Sequence, residues 1–233
     1  FSVRSVTIPL REGQWFDEPA YLVGGGPSLR DFDWRLLTGR RNVIAVNMAY
    51  WKVPTASIWF SEDYRVIDLA LEDCVVECER RARHWTDFIG VKILHALDPA
   101  FADHARRKDE SVHIIERSRK DKFWAQSFDE GLSSSSNSMI GALNLADILG
   151  ANPIYLLGVD CNKPKEGERF IQNFHSCYPA SWRVAATQLT DFSNDFKLWA
   201  APHLSHRTVL NANPTSAVTC WPKISTQEVF KCH

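Results

Sequence analysis

Ala20-Tyr21-Leu22-Val23-Gly24-Gly25-Gly26-Pro27-Ser28-Leu29 is the stretch that decides the fold. An apolar run breaks into three glycines and a Pro-Ser-Leu turn, and Asp31-Phe32-Asp33-Trp34-Arg35-Leu36-Leu37 follows, which predicts strand, glycine turn, helix. Outward from it the same grammar repeats. Short apolar runs at 42–46 and 56–60 close on Asn47 and on Ser61-Glu62-Asp63, as buried parallel strands do at their carboxyl ends. Runs at 91–94 and 112–115 predict two more strands, separated by Asp98-Pro99, which opens a short helix through Arg107. From Tyr64 to Trp85 apolar residues recur at helical spacing, and from Met139 to Leu149 they form one stripe that ends at Gly150. Pro153 to Leu157 is the most strand-like run and leads into Gly158-Val159-Asp160; 184–199 is helical again, and Thr208 to Asn211 is a last strand before Asn213-Pro214.

This alternation predicts a Rossmann-like α/β fold: a mostly parallel sheet, helices on both faces, and ligands beyond the carboxyl ends of the strands. A single nucleotide-binding domain is expected over residues 1–233, with no internal repeat. Residues 163–183 are rich in Pro and charge with little periodicity, and read as a lid loop within a C-terminal lid-like region.

The chain has 233 residues, 45% hydrophobic and 24% charged, which suits an ordinary core and excludes disordered and fibrous classes. Lys+Arg number 27 against 28 Asp+Glu, a net charge of −1. No global positive field therefore draws the chain to nucleic acid or to an anionic membrane, and an anionic ligand must be met by local groups. No apolar run has the length of a membrane helix and the first residues lack signal-peptide order, so a cytoplasmic protein is expected. The six cysteines show no C-x-x-C pair and read as reduced thiols. The composition is compatible with an oligomer.

Several residues suit chemistry at the carboxyl edge. Gly24, Gly25, Gly26, Pro27 and Ser28 depart from the dinucleotide fingerprint but supply a backbone that can approach a phosphate and reach positive φ, with a helix N-terminus behind it; the plainer reading is a turn without ligand. Ser133 to Ser138, with Ser136, Asn137 and Ser138 nearest the next helix, caps that helix or forms a second cradle for an anion or ribose. Asn47 either ends a strand or reads a base or sugar. Asp160 accepts backbone N–H groups or a ligand hydroxyl, with metal binding the third choice because no partner carboxylate lies nearby in sequence. His175, in the lid loop, suits a general base that deprotonates a hydroxyl; the other histidines, His95 among them, read as surface or packing residues.

Together these residues resemble the bacterial CMP-sialic-acid-dependent sialyltransferases, the motility-accessory glycosylation proteins, the MptE-like 6-hydroxymethylpterin pyrophosphokinases and bacteriophage proteins of that group. The resemblance rests on Gly24-Gly25-Gly26-Pro27-Ser28-Leu29, Asn47-Met48-Ala49-Tyr50, the serine turn and helix from Ser138 to Gly150, Tyr155-Leu156-Leu157-Gly158-Val159-Asp160, His175-Ser176 and Asn213-Pro214-Thr215-Ser216, in the same order. It implies a nucleotide-sugar-dependent glycosyltransferase with a CMP-linked donor and a hydroxyl acceptor, no metal cofactor, and His175 as base. Asn213 and Ser216 then join the nucleotide site. Three positions depart: Asn162 stands where the sialyltransferases have a tyrosine for the departing phosphate, their arginine before the serine turn falls near Ser135, and Ser61 stands where they have a second nucleotide-contacting asparagine. The alternatives are ATP-dependent diphosphate transfer with magnesium, for which Asp160 is the expected carboxylate, and nucleotide binding without turnover.

Overall fold

The computed structural model describes residues 8–71, 85–96, 98–118, 123–133, 137–163, 173–174, 178–182 and 186–231. Its frame is seven strands: β1 (Ala20–Val23), β2 (Val43–Val46), β3 (Ile58–Ser61), β4 (Val91–Ala96), β5 (Val112–Glu116), β6 (Ile154–Leu157) and β7 (Val209–Asn211). They form one sheet in the order β5-β4-β3-β2-β1-β6-β7, and every pairing is parallel. The chain steps outward from β1 to β5, then returns to the other side of β1 for β6. A reversal of strand order of this kind opens a crevice at the carboxyl ends, here between β1 and β6.

Alternate strand residues feed two cores because successive side chains point to opposite faces. Ala20, Leu22, Ile44, Val46, Ile58 and Phe60 belong to one, and Tyr21, Val23, Val43, Ala45 and Trp59 to the other. The helices are α1 (Arg65–Leu71), α2 (Pro99–Lys108), α3 (Ser138–Ile148), α4 (Ala186–Asp195) and α5 (Thr226–Lys231). α3 and the π-helical turn Phe196–Ala200 that continues α4 cover the first face; α1, α2 and α5 contribute Val66, Ile67, Ala105 and Val229 to the second. No helix among the described residues is long and apolar enough to cross a membrane.

Two sequence expectations change. α3 carries no single stripe: Met139 to Ile148 are all buried, because Trp124, Phe196 and Trp221 lie in the same core as its apolar residues. A helix that is apolar around its circumference is an interior helix. The glycine turn, in turn, leads into no α-helix. It is followed by two short 3-10 turns, Pro27–Leu29 and Trp34–Leu37, and the second restarts where Asp33 Oδ1 accepts the Arg35 N–H at 3.1 Å. So short a stretch, with its first amides committed elsewhere, lacks the length that α-helix nucleation requires.

Candidate functional site at the carboxyl edge

The loop after β1 is tied to the loop after β6 by its own amides. Gly24 N donates to Leu157 O at 2.8 Å, Gly26 N to Gly158 O at 2.9 Å, and Ser28 N to Asp160 Oδ2 at 2.7 Å. Ser28 Oγ donates to Asp160 Oδ1 at 2.6 Å, and Asn213 Nδ2 from the loop after β7 donates to the same oxygen at 2.8 Å. Asp160 is 4% exposed, so its carboxylate serves as the knot of three loops. Ser216 tightens it: its hydroxyl donates to Val159 O at 2.7 Å, while Ala217 N donates to Asp160 O at 2.8 Å and Asn211 Nδ2 to Val159 O at 3.0 Å.

The knot explains the glycines differently from the sequence reading. The left-handed glycines among the described residues are Gly13, Gly39, Gly131, Gly150 and Gly158, and none is in the triplet; Gly26 has φ −63° and ψ 151°. A Cβ on Gly24 would stand 2.8 Å from Gly158 O, and one on Gly26 would stand 2.6 Å from both Asp160 Oδ2 and Gly158 O. These two glycines let two loops pass each other. With no α-helix behind the turn, the helix dipole contributes nothing there, and the amides of Gly24, Gly26, Ser28 and Leu29 all have protein acceptors. Gly25 N is the one amide of the turn without an acceptor among the described residues, and Gly25 O accepts from Phe174 N at 2.9 Å.

A second group forms at β2 and β3. Asn47 has φ +55°, a left-handed conformation that asparagine tolerates better than most residues. Its Oδ1 accepts from Ser61 Oγ at 2.7 Å and its carbonyl accepts from Trp59 Nε1 at 2.9 Å. Ser61 is fully buried and also accepts from Asp63 N, so it orients Asn47, a half-buried residue whose Nδ2 has no acceptor among the described residues. At the serine turn, Asn137 Oδ1 accepts from Met139 N at 3.2 Å and so caps α3, while Ser138 Oγ accepts from Glu62 N at 3.4 Å and joins the turn to β3. Asn162 is exposed beyond the knot. Ser136 and His175 lie outside the described residues.

Of residues 163–183, expected as a lid, Phe174, Tyr178 and Trp182 contact this edge. Phe174 packs on Trp34 with ring centroids 5.1 Å apart, the Tyr178 hydroxyl is hydrogen-bonded to the Met48 backbone, and the Arg65 guanidinium lies 4.5 Å over the Trp182 ring. Burial raises the Tyr178 pKa, and burial followed by the Asp160 charge pushes the Cys161 thiol up to about 12, which makes it a poor nucleophile.

Sequence reasoning passed over Glu62 and His95. His95 Nδ1 lies 3.0 Å from Glu62 Oε1, with side chains 0% and 7% exposed. Burial raises the Glu62 pKa, against the opposing effects of His95 and the Arg117 charge. The available signal was the one that found Asn47 and Asp160: a polar residue at the end of an apolar strand.

No protein-family model matches the sequence, and no curated protein sequence matches it. Solved structures do. The MAf glycosyltransferase from Magnetospirillum magneticum AMB-1 superposes with a TM-score of 0.59 at 14% identity, over 94% of this chain and 35% of its own, so this chain spans about a third of that enzyme. The sialyltransferase CstII from Campylobacter jejuni, solved with the substrate analogue cytidine-5'-monophosphate, superposes with a TM-score of 0.50 at 12% identity, over 90% of this chain and 86% of its own. The chain has the Rossmann-like fold found in these bacterial glycosyltransferases, the same group that its motifs resemble.

Proposed function

We propose that the chain is a nucleotide-sugar-dependent glycosyltransferase that takes a CMP-linked donor and transfers its glycosyl group to a hydroxyl acceptor without a metal. The observation that carries this reading is the Asp160 knot. It draws the loops after β1, β6 and β7 together at the point where the strand order reverses, the place at which open α/β sheets bind nucleotides. The shared fold with an enzyme solved with cytidine-5'-monophosphate supports the choice of nucleotide.

In this reading Gly25 N–H donates to the phosphate, the Asn47 amide reads the nucleoside, and Ser136, Asn137 and Ser138 face the ribose. Gly24, Gly26, Pro27, Ser28, Ser61, Asp160, Asn213 and Ser216 hold the frame, and Asn162 stands at its open end. His175 follows Phe174, whose N–H is bonded to Gly25 O. As base it takes the proton of the acceptor hydroxyl as that oxygen bonds to the anomeric carbon. The bond from that carbon to the phosphate oxygen breaks, and CMP leaves with the electron pair.

Magnesium-dependent diphosphate transfer from ATP is the weaker reading, because the expected metal ligand is committed. Both Asp160 oxygens already accept from Ser28 and Asn213, and a cation would have to displace them. Binding without turnover is favoured by one feature, the exposed Asn162 where a phenol would assist the departing phosphate. Calorimetric titration with CMP and with ATP, each with and without magnesium, followed by assay of CMP release from CMP-linked sugars, separates the three. Metal-free CMP binding with CMP release is the expected result. Magnesium-dependent ATP binding with none to CMP would overturn the proposal, and CMP binding without any release would leave a binding protein.

A further inference from the structure

Glu62 and His95 form a buried pair that the proposed reaction does not use. Glu62 follows β3 and His95 is the penultimate residue of β4, and the pairing of Ser61 with Leu94 sets them side by side at the carboxyl edge. α3 presses on them: a Cβ on Gly141 would stand 2.7 Å from Glu62 Oε1, and Ser138 Oγ accepts the Glu62 N–H. The Phe60 ring lies 6.3 Å from that of His95, and exposed Arg117, just past β5, is the nearby cation that acts on Glu62 besides His95.

The pair is only half satisfied. His95 Nε2 is sealed from solvent without a partner among the described residues, and a bare acceptor nitrogen is tolerated better than an orphaned N–H. The arrangement that fits is a neutral ring with Nδ1–H directed at the carboxylate. Glu62 Oε1 receives that bond, whereas Oε2 has no partner among the described residues and is not one of the sealed polar atoms. The 7% of the side chain that remains open therefore lies at the edge where this fold takes its ligands. Two apolar residues would fill the same space without the desolvation that a buried acid and imidazole suffer, so a pair left half satisfied on the carboxyl edge, two strands along from the β1–β6 crevice, points to a ligand.

We propose that Glu62, oriented by His95, accepts hydrogen bonds from sugar hydroxyls of the bound nucleotide-sugar, either those of the ribose or those of the transferred sugar. His95 is a positioning residue in this arrangement, and the inference rests on the nucleotide-sugar reading above. The test is calorimetric binding of CMP, 2′,3′-dideoxy-CMP and a CMP-linked sugar to wild type, Glu62→Gln, His95→Leu and His95→Gln, with thermal unfolding of each. Glu62→Gln is expected to weaken the hydroxyl-bearing ligand roughly 10–100-fold, the weight of a hydrogen bond to a charged group, and to leave dideoxy-CMP unchanged. Loss with CMP itself assigns the ribose; loss confined to the CMP-linked sugar assigns the transferred sugar. His95→Leu should show the same selective loss and His95→Gln, which retains a donor, should restore most of it; these two carry the test if Glu62→Gln does not fold. Variants that bind all three ligands as wild type does, or that lose dideoxy-CMP as much as CMP, overturn the proposal alone. A wild-type protein that binds none of the three overturns the nucleotide-sugar reading and this proposal with it.

Discussion

Asp160 and Glu62 are two buried carboxylates on one edge of one sheet, and they are finished differently. Asp160 accepts from Ser28 N, Ser28 Oγ and Asn213 Nδ2, so both oxygens are satisfied by neutral donors from two other loops. Glu62 has one imidazole on one oxygen. A third carboxylate, Asp147 at the far end of α3, resembles Asp160: Trp124 Nε1, Arg207 Nε and His206 Nε2 lie 2.8–3.0 Å from its oxygens. A fully satisfied carboxylate staples segments distant in sequence, and a half-satisfied one keeps capacity for something outside the protein. On this contrast the β1–β6 region is scaffold around one amide, Gly25 N, that has no acceptor among the described residues, and the β3–β4 region is the less finished surface.

The largest effect should fall on the chemistry that the scaffold serves. If the knot only holds the nucleotide and His175 removes the proton, His175→Ala should lower turnover by roughly 10²–10⁴-fold and leave nucleotide affinity nearly unchanged, since proton removal matters in the transition state and not in ground-state binding. Steady-state rates beside calorimetric affinity decide it; normal turnover would remove His175 from the mechanism. Next in size is the knot itself. Asp160→Ala strands the Ser28 amide and hydroxyl and the Asn213 amide, and a loss of about 3 kcal/mol is expected in urea unfolding, together with loss of nucleotide binding. A variant as stable as wild type would break the contrast at its first member.

Gly26→Ala probes the same knot by crowding. The added methyl would meet backbone oxygen and a fixed carboxylate, neither of which can swing away, so a cost of about 1–3 kcal/mol is expected in the same unfolding assay. A neutral result would mean that the two loops can separate, and that the glycine serves a ligand after all.

The fold was legible because apolar strand runs and glycine punctuation are local signals. Ala20–Val23 and Ile154–Leu157 were readable by themselves, and the strand-end pattern puts Asn47 and Asp160 at the carboxyl edge of the sheet, where the structure has them. What local signals could not show is where a side chain spends its hydrogen bonds. Asp160 reads as a partner for backbone N–H groups or a ligand hydroxyl, with a cation third, and only the structure shows that Asn213, 53 residues on, is its partner. The glycine triplet suggested positive φ, yet the left-handed backbone falls on Gly158 and Asn47, because Gly24 and Gly26 are required by contact with a loop more than 130 residues away. His95 reads as an ordinary strand residue, and only the pairing of β3 with β4 reveals Glu62 beside it.

The smallest expected effect tests the second member of the contrast through its proton. Burial holds the Glu62 pKa above its ordinary value, although His95 and Arg117 oppose the shift. The folded protein therefore keeps the Glu62 proton to a higher pH than the unfolded chain does. Between the ordinary value and the raised one the native state binds more protons, so stability attributable to Glu62 falls as pH rises through that window and is level above it. Glu62→Gln has no proton to lose. Its stability, measured by urea unfolding at steps from roughly pH 4 to 8, should gain on that of wild type as pH rises through the window and then hold a constant difference. If the two stability profiles run parallel, Glu62 ionises as an exposed glutamate does, and the pair is no more than a surface contact. If wild type instead gains on the variant as pH rises, His95 and Arg117 outweigh burial, and Glu62 is a paired carboxylate of the same kind as Asp160.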